Sequence, residues 1–342
     1  MVDRWKPLPA SAYKEDFRLR TPVLPPNYRT IAPKADRRKK QLPISRARFT
    51  NPDKVLWPQE GYTKADLITY YAAVSEILLP HLRGRPVIME RYPNGIAEKY
   101  FLQKDAVPQH TPDWLLPHVH EVYAPEVRRN VRYIVADNRD VLLYLANYAA
   151  IALHPWSSRI ESLDYTDYVL FDLDPMDAPF YTVQTVALEL KAVLDELKLR
   201  TYVKTSGVSG LHVYVPVHEG SINYRDARMF AEAIAGIVVR RIPEAATVTR
   251  KVSRRTSGKV YVDYLQNGRG KTLASVYSLR PRPGAPVSTP LKWSELKNHR
   301  ITPAGFNIET MPKRLKSVGD LFLPVLRDKQ EIRHLVDALR AA

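Results

Sequence analysis

Asp167-Tyr168-Val169-Leu170-Phe171-Asp172-Leu173-Asp174-Pro175 is the stretch from which the rest of the chain is best read. Its apolar run predicts a central strand over 167–173. Side chains alternate along a strand, so Asp172 and Asp174 share one face and Phe171 and Leu173 take the other. Two carboxylates on one face repel each other and need compensating charge, most simply a divalent metal ion. Pro175 has no N–H to donate, so the strand should end there and leave both carboxylates at the rim of a sheet. The pair has a blander reading too, because Asp-x-Asp is common and either side chain can cap a turn where a strand meets solvent.

Outward from this stretch, helical and strand patterns interleave. Apolar spacing predicts a helix from Thr63, with Thr63 and Asp66 as an N-cap pair. A largely buried helix is expected over 139–153 and others over 180–198 and 224–241, with a short one at the C-terminus. Strands are expected at 86–92, 200–205, 211–217 and 259–265, and Gly268-Arg-Gly-Lys271-Thr272 turns into a further strand. This mixture implies an α/β or α+β fold with a sheet buried at its centre.

A third carboxylate suits the first two. Asp263 lies in the alternating stretch Lys259-Val-Tyr-Val-Asp263-Tyr264, and if that strand neighbours the first, three carboxylates can hold two divalent ions. An ion pair with a neighbouring lysine or arginine is the ordinary alternative. Thr205-Ser206-Gly207-Val208-Ser209-Gly210-Leu211-His212 joins two expected strands. Its glycines and serines let backbone N–H groups approach a phosphate, and His212 can donate to the same anion; taken alone, the segment reads more readily as a plain hairpin turn. Lys271, with Arg280 and Arg282 beyond it, supplies cations for a triphosphate. His154-Pro155-Trp156, at the end of the apolar helix, also fits simple core packing. Lys54 and Lys64 flank a loop containing Gly61, and Lys64 falls in a first helical turn, where N–H groups favour a phosphate. Taken jointly, these groups point to phosphoryl transfer with a nucleotide.

The composition agrees. The 342 residues carry a net charge of +16 and are 45% hydrophobic, which suits a globular protein with a polyanionic partner. Residues 1–48 hold 13 Lys or Arg against 4 Asp or Glu. A Pro-rich basic arm is therefore expected over 1–45, with the folded domain over 46–342. The absence of cysteine excludes disulfides, cysteine metal sites and thiol catalysis. No apolar run has the length of a signal peptide or membrane span, so a cytoplasmic protein that does not engage membranes is expected.

The ordered motifs identify a resemblance. Asn51-Pro-Asp-Lys54-Val-Leu-Trp-Pro, Thr63-Lys64-Ala-Asp, Gly84-Arg-Pro, Arg91-Tyr-Pro-Asn-Gly, Phe101-Leu-Gln-Lys104 and Leu153-His-Pro-Trp156 are followed by Phe171-Asp-Leu-Asp-Pro175, Thr205-Ser-Gly, Gly210-Leu-His212, Val262-Asp-Tyr-Leu-Gln-Asn267 and Tyr277-Ser-Leu-Arg280. Together they resemble the polymerase domain of bacterial and archaeal non-homologous end-joining, the part of ligase D related to archaeo-eukaryotic primases. The resemblance implies a primase-like domain with a central mixed or antiparallel sheet flanked by helices. It implies extension of primers at DNA ends or short gaps with ribo- or deoxyribonucleoside triphosphates. Asp172, Asp174 and Asp263 would hold Mn2+ or Mg2+. Ser206, His212 and Arg280 would hold the triphosphate, with Gln266 and His154 nearby and Arg91, Phe101 and Lys271 in the nucleotide site. Lys54, Lys64 and Lys104 would bind a DNA 5′-phosphate. Ku and a separate ligase would be partners, at the nucleoid. Two positions depart from the family pattern: Leu102 replaces a second phenylalanine expected to stack on the base, and Ser209 replaces a lysine of the phosphate turn. A primase that starts chains or fills gaps, and a DNA-end binding module with vestigial catalysis, are the alternatives.

Overall fold

The computed structural model describes residues 41–106, 111–124, 128–298 and 301–341. The basic arm expected over 1–45 therefore lies, up to residue 40, outside the described residues.

The central sheet has six strands in the order β11 (Ala246–Thr247), β12 (Val260–Asp263), β8 (Tyr168–Asp174), β10 (Leu211–Pro216), β9 (Tyr202–Thr205) and β13 (Pro290–Leu291). All its pairings are antiparallel except the edge pair β11–β12. Alternation along β8 sorts its side chains. Val169, Phe171 and Leu173 enter one core, while Tyr168 and Leu170 enter another on the opposite face. Asp172 and Asp174 continue that second face, as the two-residue period requires. The first core is roofed by α3 (Phe180–Glu196) and α4 (Tyr224–Arg241), which pack on each other and on β8. Asn223 caps α4 by accepting from the Asp226 N–H.

The second core holds α1 (Lys64–Leu82) and α2 (Arg139–Asn147) against a five-stranded sheet of β3 (Pro86–Arg91), β4 (Phe101–Gln103), β5 (Val119–Ala124), β6 (Arg129–Val135) and β7 (Ala150–Pro155). A two-stranded ribbon, β1 (Val55–Trp57) and β2 (Tyr62–Thr63), leads into α1. The Thr63–Asp66 capping box forms as its spacing predicts.

Two expectations change. The single helix expected over 139–153 is a helix and a strand: α2 ends at Asn147, Ala149 turns left-handed at φ 54°, and β7 follows. The segment is buried almost throughout, and an all-apolar run carries no period that separates helix from strand. The strand expected after Gly268 does not form as a ladder. Residues 268–282 make isolated bridges at Thr272 and Leu279 and otherwise run as turns and irregular chain. The strands β5 and β6 carry no strong sequence signal and emerge only in the structure.

Candidate active site and a cation cavity

The six-stranded sheet assembles three carboxylates. The β8–β12 register sets Asp263 opposite Asp172 and Tyr261 opposite Asp174, and the β8–β10 register sets His212 on the other side of Asp172. Asp172 is therefore the middle residue of a row across three strands. Burial and the charges of Asp263 and Asp174 push its carboxyl up to about 8. Asp263 is oriented by the Leu265 N–H at 2.9 Å, Gln266 Nε2 at 2.9 Å and the Tyr261 hydroxyl at 3.2 Å. Asp174 accepts from the Met176 N–H at 3.2 Å and faces Arg255 Nη1 at 3.8 Å. The donor set is all carboxylate oxygen and mutually repelling, which fits a hard divalent cation. The row is not a closed cage: among the described residues no three His, Asp or Glu side chains form a preformed metal cluster.

Beside the row lies a cleft of about 230 Å³ that brings together Asp172, Asp174, Ser206, His212, His154 and Arg280. Its floor is the turn between β9 and β10. The N–H groups of Val208, Ser209 and Gly210 converge on Ser206 Oγ at 3.0–3.2 Å, an arrangement that also suits a phosphate oxygen. Gly210 admits no side chain, since a Cβ there would lie 2.2 Å from the Leu173 carbonyl oxygen. Gly207, at φ 76°, is closed in by Arg280 Cγ and the Ser288 backbone. Arg280 Nε is buried without a hydrogen-bond partner, a donor waiting for an anion.

Two groups outside the expected set stand behind the cleft's lining, one against His212 and one against His154. Lys204 is fully enclosed, and its Nζ reaches His212 Nδ1 at 2.8 Å, Ala274 O at 2.9 Å and Ser288 Oγ at 2.6 Å. With the amine donating to Nδ1, the His212 ring proton sits on Nε2, which faces Asp172 Oδ1 at 3.5 Å. Burial, then Lys204 and Arg280, lower the His212 pKa well below its ordinary value, so the ring is a neutral donor. Glu90 on β3 meets His154 Nε2 at 3.2 Å. Burial opposes its ionisation, but His154 and Arg280 hold its carboxyl down at about 2. The sequence cue for Lys204 is a lone charge inside β9; Glu90, beside Arg91 at the end of β3, carries no such cue.

A second cavity, of about 650 Å³, forms at the start of α1. Arg46, Arg48, Lys54, Lys64 and Arg91 line it, and no carboxylate does so among the described residues. Lys54 Nζ donates to Asn94 Oδ1 at 2.7 Å, and Lys64 Nζ to Thr50 O at 2.8 Å. Burial and then repulsion from Lys54 and Arg91 lower the Lys64 pKa. Uncompensated cations at a helix N-terminus make an anion site. The lysine pair is expected from sequence; Arg46 and Arg48, just ahead of it, are not.

Other expected site residues are distributed differently. Arg91 lies in the cation cavity, its guanidinium between the rings of Phe101 at 5.0 Å and Tyr148 at 4.8 Å. Phe101 is 42% exposed there. Lys104, just after β4, is not among the residues lining that cavity. Gln266 and Lys271 line a third cavity on the Asp263 side. His154 sits on strand β7, opposite Ile88, and not at a helix end.

A family model for the LigD primase-polymerase domain matches residues 63–322. The multifunctional non-homologous end joining protein LigD of Mycolicibacterium smegmatis is 35% identical over 286 residues, covering 83% of this chain and 36% of that protein. The bifunctional non-homologous end joining protein LigD of Bacillus subtilis is 34% identical over 284 residues, covering 83% and 44%. The chain thus spans less than half the length of these relatives. Among solved structures, the polymerase domain from Mycobacterium tuberculosis ligase D in complex with DNA matches with a TM-score of 0.75 at 32% identity, covering 84% of this chain and all of that one.

Proposed function

The chain belongs to the LigD primase-polymerase domain family, and from that premise we propose that it extends primer strands at DNA ends and short gaps, as a metal-dependent nucleotidyltransferase in end-joining repair. The observation that carries this reading is the row His212–Asp172–Asp263 across three paired strands, with Asp174, the Ser206 turn and the unpartnered Arg280 Nε around it.

Asp172, Asp174 and Asp263 would hold two divalent ions, Mn2+ or Mg2+, which when bound neutralise the polyphosphate and favour the ionised form of the attacking hydroxyl. The protein's own groups do the rest. The Ser206 turn offers converging N–H groups to phosphate oxygens, and Arg280 offers its guanidinium. His212, neutral and protonated on Nε2, donates without adding charge beside Asp172. Lys204 fixes that tautomer and is a positioning residue. His154, paired with Glu90, lines the same cleft. In the reaction the primer 3′-oxygen bonds to the α-phosphorus, the bond from that phosphorus to the β-bridging oxygen breaks, pyrophosphate leaves and the hydroxyl proton passes to solvent.

The cation cavity suits a 5′-phosphate on the downstream strand of a gap, held by Lys54 and Lys64 with Arg46, Arg48 and Arg91 around them. The expected setting follows: the domain over 46–342 with the basic arm of 1–45 reaching DNA, Ku and a separate ligase as partners, and a cytoplasmic, nucleoid-associated location. No helix among the described residues is long and apolar enough to cross a membrane.

The test is extension of a primer across a short gap with Mn2+ and each of the eight ribo- and deoxynucleotides, with and without a downstream 5′-phosphate. Extension that the 5′-phosphate strengthens and that Asp172→Asn with Asp174→Asn abolishes supports the reading. DNA binding without extension would replace it with an end-binding module.

A further inference from the structure

The carboxylate row is approached by two cavities, and the triphosphate cleft is only one of them. The other, of about 400 Å³, opens on Asp263 and is lined by four cations: Arg228 of α4, Arg250 and Arg255 of the segment between β11 and β12, and Lys271 of the turn after β12. Among the described residues, Asp263 is the one carboxylate in that lining.

The cations differ in what they already hold. Arg255 is engaged by its own surroundings. It donates to Thr249 O at 2.7 Å and Arg250 O at 3.0 Å, touches Met176 Sδ at 3.1 Å, and stacks on the Tyr261 ring at 3.7 Å. It therefore ties segment 249–255 down over β12 and fixes where Arg250 stands. The Arg250 guanidinium is exposed and has no partner among the described residues. A half-enclosed cavity with this charge excess, opening on Asp263 of the row whose Asp172 and Asp174 line the Ser206 cleft, selects an anion.

Nucleotidyl transfer brings two polyanions to one set of carboxylates: a triphosphate, and a strand whose 3′-hydroxyl attacks it. The Ser206–Arg280 cleft takes the first. We propose that the cavity bounded by Arg228, Arg250 and Lys271 holds the terminal phosphodiester of the primer strand, directing its 3′-hydroxyl toward Asp263 and Asp172. The inference rests on the polymerase reading above and adds the strand site to it.

Arg250→Gln and Arg228→Gln, singly and together, test it by steady-state extension with primer–template varied at saturating nucleotide and the converse. The expected result is a primer–template KM raised about fivefold per substitution. The nucleotide KM and the rate at saturating primer should stay within about twofold. The log–log salt dependence of kcat/KM for primer should become shallower by about 0.7–0.9 for each phosphate that is no longer neutralised. Arg250→Glu should raise the primer KM further, and unchanged thermal unfolding keeps misfolding out of the comparison. A raised nucleotide KM with an unmoved primer KM would assign the cavity to a second polyphosphate and overturn the proposal, as would an unmoved primer KM and slope. If the wild-type protein extends no primer, the polymerase reading itself fails. The strand site is then judged by fluorescence anisotropy with a labelled recessed duplex, and equal Kd for wild type and double variant would refute it.

Discussion

Replacing Asp172 by Asn should stabilise the metal-free protein while abolishing its activity. Asp172 lies under burial and between two like charges, and its carboxyl titrates near 8 against an ordinary 3.8. At pH 7 the folded state therefore keeps a proton that the unfolded chain has released. At 1.36 kcal/mol per pH unit, that mismatch has a ceiling of ~4 kcal/mol. Asp172 retains 21% of its side-chain exposure, and its neighbours relax, so about 1–3 kcal/mol is the expected gain for the neutral isostere. In a chain of this size that corresponds to ~2–6 °C in Tm. Calorimetry in EDTA reads the gain directly. With millimolar Mn2+ the order should reverse, because the wild type gains binding energy that the variant cannot. A variant that melts below wild type in EDTA, or that keeps the full Mn2+ stabilisation, would refute the account of Asp172 as a strained metal ligand.

Three other outcomes follow from the same geometry. Metal affinity should rise about tenfold per pH unit from pH 6 to about 8 and then level, since binding must displace the Asp172 proton; titration calorimetry showing flat affinity over that range would contradict the raised pKa. The sign for the metal-free fold is the opposite: this group's contribution is most favourable below 3.8 and declines as pH rises toward 8. Gly210→Ala should cost about 1–3 kcal/mol and at least a hundredfold in extension, because its Cβ would fall 2.2 Å from the Leu173 carbonyl between the two aspartates; a variant with wild-type rate would show that the strand yields without moving them. Lys54→Ala and Lys64→Ala should each weaken binding to a 5′-phosphorylated gap about tenfold and leave the unphosphorylated gap within about twofold; equal loss on both substrates would reduce the cavity to a general DNA-binding surface.

Much of this protein is legible in local sequence, because local periods and caps are set by neighbouring residues. The two-residue alternation places Asp172 and Asp174 on one face of β8 and its aliphatic partners on the other. Thr63 and Asp66 announce the start of α1, and the Gly-Ser turn announces a close backbone approach that Gly207 and Gly210 indeed require. What the sequence leaves open depends on which distant strands pair, and in what register. That pairing puts Asp263 opposite Asp172, and Lys204 opposite His212, where a buried amine can set a ring tautomer. Packing on both faces divides 139–153 into helix and strand, since an apolar run buried on every side satisfies either period. Packing also parts the expected cations: Arg91 joins Lys54 and Lys64 at the start of α1, and Lys271 goes to the Asp263 side of the row. Local sequence determined which groups could do chemistry, and long-range register, driven by burial of the apolar cores on the sheet faces, decided which of them meet.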